Sequence, residues 1–100
     1  MATGGEAFLS VEFEVIGKVQ GVFFRKYTHR NAVKRGLVGW VQNTERGSVV
    51  GIMQGPENEV KDMKRWLKKT GSPKSRIERC IFKDEKPIPN KEFKNFDIIR

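Results

Sequence analysis

A chain of 100 residues forms one domain: at this size folding hides only about 65% of the unfolded surface, which leaves no material for a second core. With 37% apolar and 32% charged residues it is a globular, soluble chain, and no apolar run reaches bilayer length, so no membrane insertion is expected. Twenty Lys and Arg against twelve Asp and Glu leave a formal charge of +8, which attracts anions without choosing among phosphates, acidic proteins and nucleic acid.

The opening MATGGEAFLS lacks the basic and apolar stretches of a secretory signal, so residues 1–6 are expected to be a disordered tail on a single domain spanning 1–100, in the cytoplasm. From Phe8 to Ile16, Leu9, Val11, Phe13 and Val15 alternate with Ser10, Glu12 and Glu14, the period of a half-buried strand ended by Gly17. Phe24 to Arg35 reads as a helix whose Phe24, Thr28 and Ala32 share a face, stopped by Gly36. Two β-prone runs, Leu37 to Gln42 and Ser48 to Gln54, flank Asn43-Thr44-Glu45-Arg46-Gly47 and predict a hairpin. Gly55-Pro56 closes it, with Pro56 at the first position of a second helix whose stripe is Val60, Met63, Trp66 and Leu67. Ile77 to Lys83 alternates again, setting Ile77, Arg79 and Ile81 against Glu78, Cys80 and Phe82. Pro87 and Pro89 mark a loop before a short closing strand at Phe96 and Ile98.

That order predicts an α+β, ferredoxin-like split βαβ sandwich: an antiparallel sheet with two helices on one face, the first and third strands central, and an added C-terminal strand. One cysteine, Cys80, closes no internal disulfide, and with one histidine, His29, no zinc ligand set is expected. The basic clusters Lys34-Arg35, Lys64-Arg65 and Lys68-Lys69 read as solvated helix faces.

The informative segment is GKVQGVFFR, residues 17 to 25. Gly17 and Gly21 let successive N–H groups turn inward as an anion-binding nest, the next helix adds its N-terminal partial charge, and Arg25 offers a two-pronged donor to phosphate oxygens. The same residues also suit a tight strand-to-helix turn followed by a surface arginine, since the segment is neither a P-loop nor a dinucleotide fingerprint.

GKVQGVFFR, followed by GWVQN at 39 to 43 and then Gly47, Val49 and Gly55, resembles the acylphosphatase family, and both of that family's signature patterns are matched in full. The likeness continues through GIMQGP at 51 to 56 and WLKKTGSPKSRI at 66 to 77, covering nearly the whole domain. It implies an acylphosphatase that hydrolyses carboxyl-phosphate anhydrides. Arg25 would bind the phosphate, Asn43 would position the attacking water, and the backbone of Gly17, Lys18, Val19, Gln20, Gly21 and Val22 would form the phosphate loop. It also implies a small cytoplasmic monomer that needs no metal or cofactor, whose partners are small-molecule acyl phosphates and inorganic phosphate and not nucleic acid.

The chemistry tolerates so sparse a site. Phosphoryl transfer depends mainly on positioning and charge stabilisation, and the departing carboxylate, with a conjugate acid of pKa about 4, needs no general acid. Asn43 can orient water but cannot take its proton, which leaves a phosphate oxygen as acceptor. Two other readings use the same residues: a single-stranded RNA-binding sheet with Phe23, Phe24 and Tyr27 beside Arg25, and an accessory module that binds acyl or carbamoyl phosphate without turnover.

Overall fold

The elements run β1 (Phe8–Lys18), α1 (Phe24–Lys34), β2 (Val38–Asn43), β3 (Val49–Pro56), α2 (Glu57–Lys69), β4 (Arg76–Ile88) and β5 (Phe96–Ile99) in a computed structural model that describes residues 7–100. The tail expected over residues 1–6 lies outside the described residues. The sheet order is β4-β1-β3-β2-β5, with β1 and β3 central as the right-handed crossovers require. β1, β3, β2 and β4 pair antiparallel, while β5 runs parallel to β2, so the added strand makes the ferredoxin-like sheet mixed.

One face of the sheet carries the core. Leu9, Val11, Phe13 and Val15 of β1 meet Val41 of β2 and Val49 and Met53 of β3. Onto them pack Phe24 and Ala32 of α1 and Val60, Met63 and Leu67 of α2, the stripes expected from helical spacing. Trp66 is partly buried and lies 5.7 Å, centroid to centroid, from Phe24, tying the two helices together. Α helix stop at Gly36 is reinforced by the Leu37 N–H donating to Ala32 O at 2.9 Å.

Among the differences from the sequence reading, two concern prolines at element boundaries and one the faces of β4. Pro56 ends β3 and caps α2 from outside, so Glu57 is the first helical residue. Pro87 lies inside β4, paired with Leu9, because β4 is an edge strand and an edge tolerates a residue with no N–H to donate. An irregularity in the β1–β4 pairing between Ile16 and Gly17 reverses the alternation of β4, so Cys80 and Phe82 join Ile77 against the core while Arg79 and Ile81 face outward. Cys80 is half-buried there, and burial pushes its thiol up to about 11.

Strand packing in the middle is close enough to demand glycine. At Gly39 the backbone has φ +138°, and a Cβ would overlap the Ile52 carbonyl oxygen on β3. Gly39→Ala is expected to destabilise the domain by about 3 kcal/mol, since both the backbone region and the space are wrong for a side chain, and urea unfolding measures it.

Candidate functional site

The chain leaves β1 through a short turn at Val19–Phe23 and enters α1 with no conventional cap. Phe23, the residue before the helix, has φ 60° and ψ 27°, a left-handed conformation uncommon outside glycine, and its side chain caps nothing. An α-helix leaves its first N–H groups without intrahelical partners, and α1 has neither a capping side chain nor an acidic residue in its first turn to take them up. By contrast α2 carries Glu57 and Glu59 in its first turn. The start of α1 is therefore the helix end whose partial positive charge is left for a ligand.

Around it lies a cavity of about 430 Å³, lined by Val19, Gly21, Phe23, Phe24, Arg25, Lys26, Asn43, Ile98 and Arg100. Arg25 and Asn43, 18 residues apart in sequence, thus share one cavity with the turn, Arg25 from the first turn of α1 and Asn43 from the last residue of β2. The Arg25 guanidinium makes one long hydrogen bond, Nη1 to the Ile99 carbonyl at 3.4 Å. Asn43 Oδ1 is buried and accepts a hydrogen bond from no group of the described residues. Among the described residues no Asp or Glu side chain lines the cavity.

The expected loop divides in two. Val19 and Gly21 line the cavity and the side chains of Val19 and Val22 are buried in the core, whereas Gly17 and Lys18 are the last residues of β1, paired with Ile77 and Arg76. At Gly17 the φ is +140° and a Cβ would overlap the Arg76 carbonyl oxygen, so this glycine serves the strand pairing. His29 lines a separate cavity with Val33, Leu37 and Asp97, its ring 6.3 Å from that of Phe96. Phe24 is buried in the core, which leaves Phe23, 70% exposed, as the solvent-facing member of the pair.

Sequence reasoning missed the network that holds turn and hairpin together. Gln20 Nε2 donates to the carbonyls of Thr44 at 2.8 Å and Ser48 at 2.9 Å. The hairpin loop is closed by the Thr44 N–H donating to Ser48 O at 2.9 Å, by the Ser48 N–H donating to Thr44 Oγ1 at 3.1 Å, and by the two hydroxyls 2.7 Å apart. Ser48 Oγ donates in turn to Glu14 Oε2 at 2.6 Å, and Arg46 Nη2 reaches the same oxygen at 2.9 Å. The Ser48 hydroxyl first, and then Arg46, hold the Glu14 carboxyl below its ordinary value of 4.5. The legible signal was the strand register: Glu14 stands on the outward face of β1 opposite Val50, beside the hairpin loop.

Among the described residues no cluster of three or more His, Cys, Asp or Glu is placed to hold a metal ion, and no helix is long and apolar enough to cross a membrane.

Residues 11–98 match the acylphosphatase family. The chain is 53% identical over 96 residues to acylphosphatase-1 of Mus musculus, covering 96% of this chain and 97% of that protein. It is 57% identical over 93 residues to acylphosphatase-2 of Rattus norvegicus, covering 93% and 96%. The crystal structure of acylphosphatase from Bacillus subtilis superposes with a TM-score of 0.81 at 33% identity, over 92% of this chain and 99% of that one. With nearly its whole length matched by these relatives and its fold shared with the Bacillus subtilis structure, the chain belongs to the acylphosphatase family.

Proposed function

We propose that the protein is an acylphosphatase that hydrolyses the carboxyl-phosphate bond of acyl phosphates, by direct attack of water on a phosphoryl group held by Arg25 and the backbone of the 17–22 segment. The observation that carries this reading is the buried, unpartnered Oδ1 of Asn43 in the same cavity as Arg25 and the uncapped start of α1. An ionised phosphoryl oxygen only accepts hydrogen bonds, so it suits the guanidinium and the amides but not Asn43 Oδ1. A water molecule donates to that oxygen and is thereby held beside the bound phosphorus.

Within the turn, Val19 to Val22 and the first N–H groups of α1 supply the donors, with Gly17 and Lys18 anchoring the turn to β4. These donors and Arg25 stabilise the charge on the transferred group, and the carboxylate leaves unassisted. The water proton passes to a phosphate oxygen, because Asn43 is no base and His29 lines another cavity. The reading carries with it a cytoplasmic monomer that needs no metal.

Hydrolysis of benzoyl phosphate, followed by absorbance with and without chelator, tests the activity. Equal rates in both are expected, and no turnover would refute it. Arg25→Ala is expected to weaken substrate and inorganic phosphate alike by about 100-fold, while Asn43→Ala lowers kcat by about 100- to 1,000-fold and leaves phosphate affinity within about twofold. Normal turnover in Asn43→Ala would remove its role as water holder.

Glu14→Gln tests the network that fixes the hairpin. Because the folded carboxyl titrates below its unfolded value, its stabilisation is complete above pH 4.5 and is lost as pH falls through the folded value. At pH 7 the variant is expected to melt about 4–8 °C lower, the shift of roughly 1 kcal/mol in a domain this size, with the gap closing as pH falls through the folded carboxyl's lowered value. A gap independent of pH in thermal melts would show that ionised Glu14 is not the source.

A further inference from the structure

The cavity holds more positive charge than a phosphoryl group needs. Beside Arg25 it is lined by Lys26 and Arg100, and no Asp or Glu side chain of the described residues lines it. Elsewhere among the described residues five cations are drawn into ion pairs, Arg35 with Glu59 and Asp62, Arg46 with Glu14, Lys61 with Glu57, Lys64 with Glu85 and Arg65 with Asp62; what sets Lys26 and Arg100 apart from the other unpaired cations is their place in the cavity beside Arg25. Neither Lys26 nor Arg100 is in an ion pair among the described residues. Lys26 is also placed: its Nζ lies 5.7 Å from the centroid of the Phe23 ring, and Phe23 is the residue held in a left-handed conformation with its ring exposed at the cavity. Phe23 thus presents an apolar ring to solvent at the cavity from an uncommon backbone conformation, with a cation over it.

Space points the same way. About 430 Å³ falls within the roughly 300–1,000 Å³ of sites that enclose whole small molecules, so the cavity accommodates an acyl group as well as the phosphoryl group. The inner part, at Arg25, Asn43 and the turn, is matched to phosphate by the reading above, on which this inference rests. What remains for the acyl group is Phe23, Ile98, Lys26 and Arg100: apolar surface bordered by two unpaired cations.

We propose that Lys26 and Arg100 are specificity-determining residues that favour acyl phosphates whose acyl part carries a second anionic group over those whose acyl part is neutral. Attraction between an exposed lysine or arginine and a ligand anion is modest and screened by salt, so the preference is a matter of severalfold and not of orders of magnitude.

The test compares 4-carboxybenzoyl phosphate with its neutral counterpart 4-carbamoylbenzoyl phosphate, as the ratio of their kcat/KM values. The ratio in Lys26→Gln/Arg100→Gln, divided by that of the unaltered protein, cancels the intrinsic difference between the leaving groups. The double variant is expected to lower the ratio by about three- to tenfold, and 0.5 M salt is expected to shrink the preference of the unaltered protein towards that of the variant. A ratio that stays within about 1.5-fold overturns the proposal, including the case in which both substrates slow equally because the two cations hold the phosphoryl group. So does an equal drop from Lys68→Gln/Lys69→Gln on α2, which would trace the preference to net charge. If benzoyl phosphate is turned over and the ratio does not move, only this inference falls; if no acyl phosphate is turned over, the functional reading falls and takes this one with it.

Discussion

The side-chain amide of Gln20 joins the two halves of the site. Its Nε2 has two protons, and each meets a main-chain carbonyl of the hairpin loop, Thr44 O and Ser48 O. The turn that shapes the cavity and the strand end that carries Asn43 come from segments over twenty residues apart, and this contact sets one against the other. It is available only because β1 and β3 are neighbours and β2 pairs with β3, so that the turn after β1 and the β2–β3 loop emerge at the same end of the sheet. Glu14, Ser48 and Thr44 extend the contact into the sheet, and an ionised carboxylate at its far end strengthens the hydroxyl bonds that lead to it.

Charge is distributed in keeping with that geometry. A few basic residues pair with acids along α2 and between the helices, but at the start of α1 the backbone dipole, Arg25, Lys26 and Arg100 converge with no Asp or Glu of the described residues in the cavity's lining. Unfilled N–H groups, unbalanced cations and one orphaned acceptor in a single cavity form a set of demands that a phosphate and a water meet together. The fold is common to many activities, and it is this local imbalance that distinguishes the end of the sheet.

Periodicity made most of the architecture legible. Alternation in β1 and the i, i+4 faces of α1 and α2 report burial directly, because side-chain direction follows from backbone geometry alone. The turn glycines and Arg25 were legible as a local pattern, and Asn43 through family likeness. What escaped depends on partners distant in sequence. Pro87 belongs to a strand because that strand is an edge, and the reversed faces of Ile77 to Phe82 follow from an irregularity opposite Gly17. Gln20, Ser48 and Glu14 form a network through register, which no local spacing encodes. Phe23 in a left-handed conformation carries no compositional signal at all.

The reversal in β4 also settles the fate of the chain's one thiol. Turned inward against the core and held at about 11, Cys80 stays protonated in neutral solution, and a protonated sulfur is a poor nucleophile toward peroxide or alkylating agents. Lys64 and Lys68 nearby pull in the opposite direction without prevailing. Oxidants and electrophiles that act through a thiolate therefore find little of it at Cys80 while the edge strand stays docked.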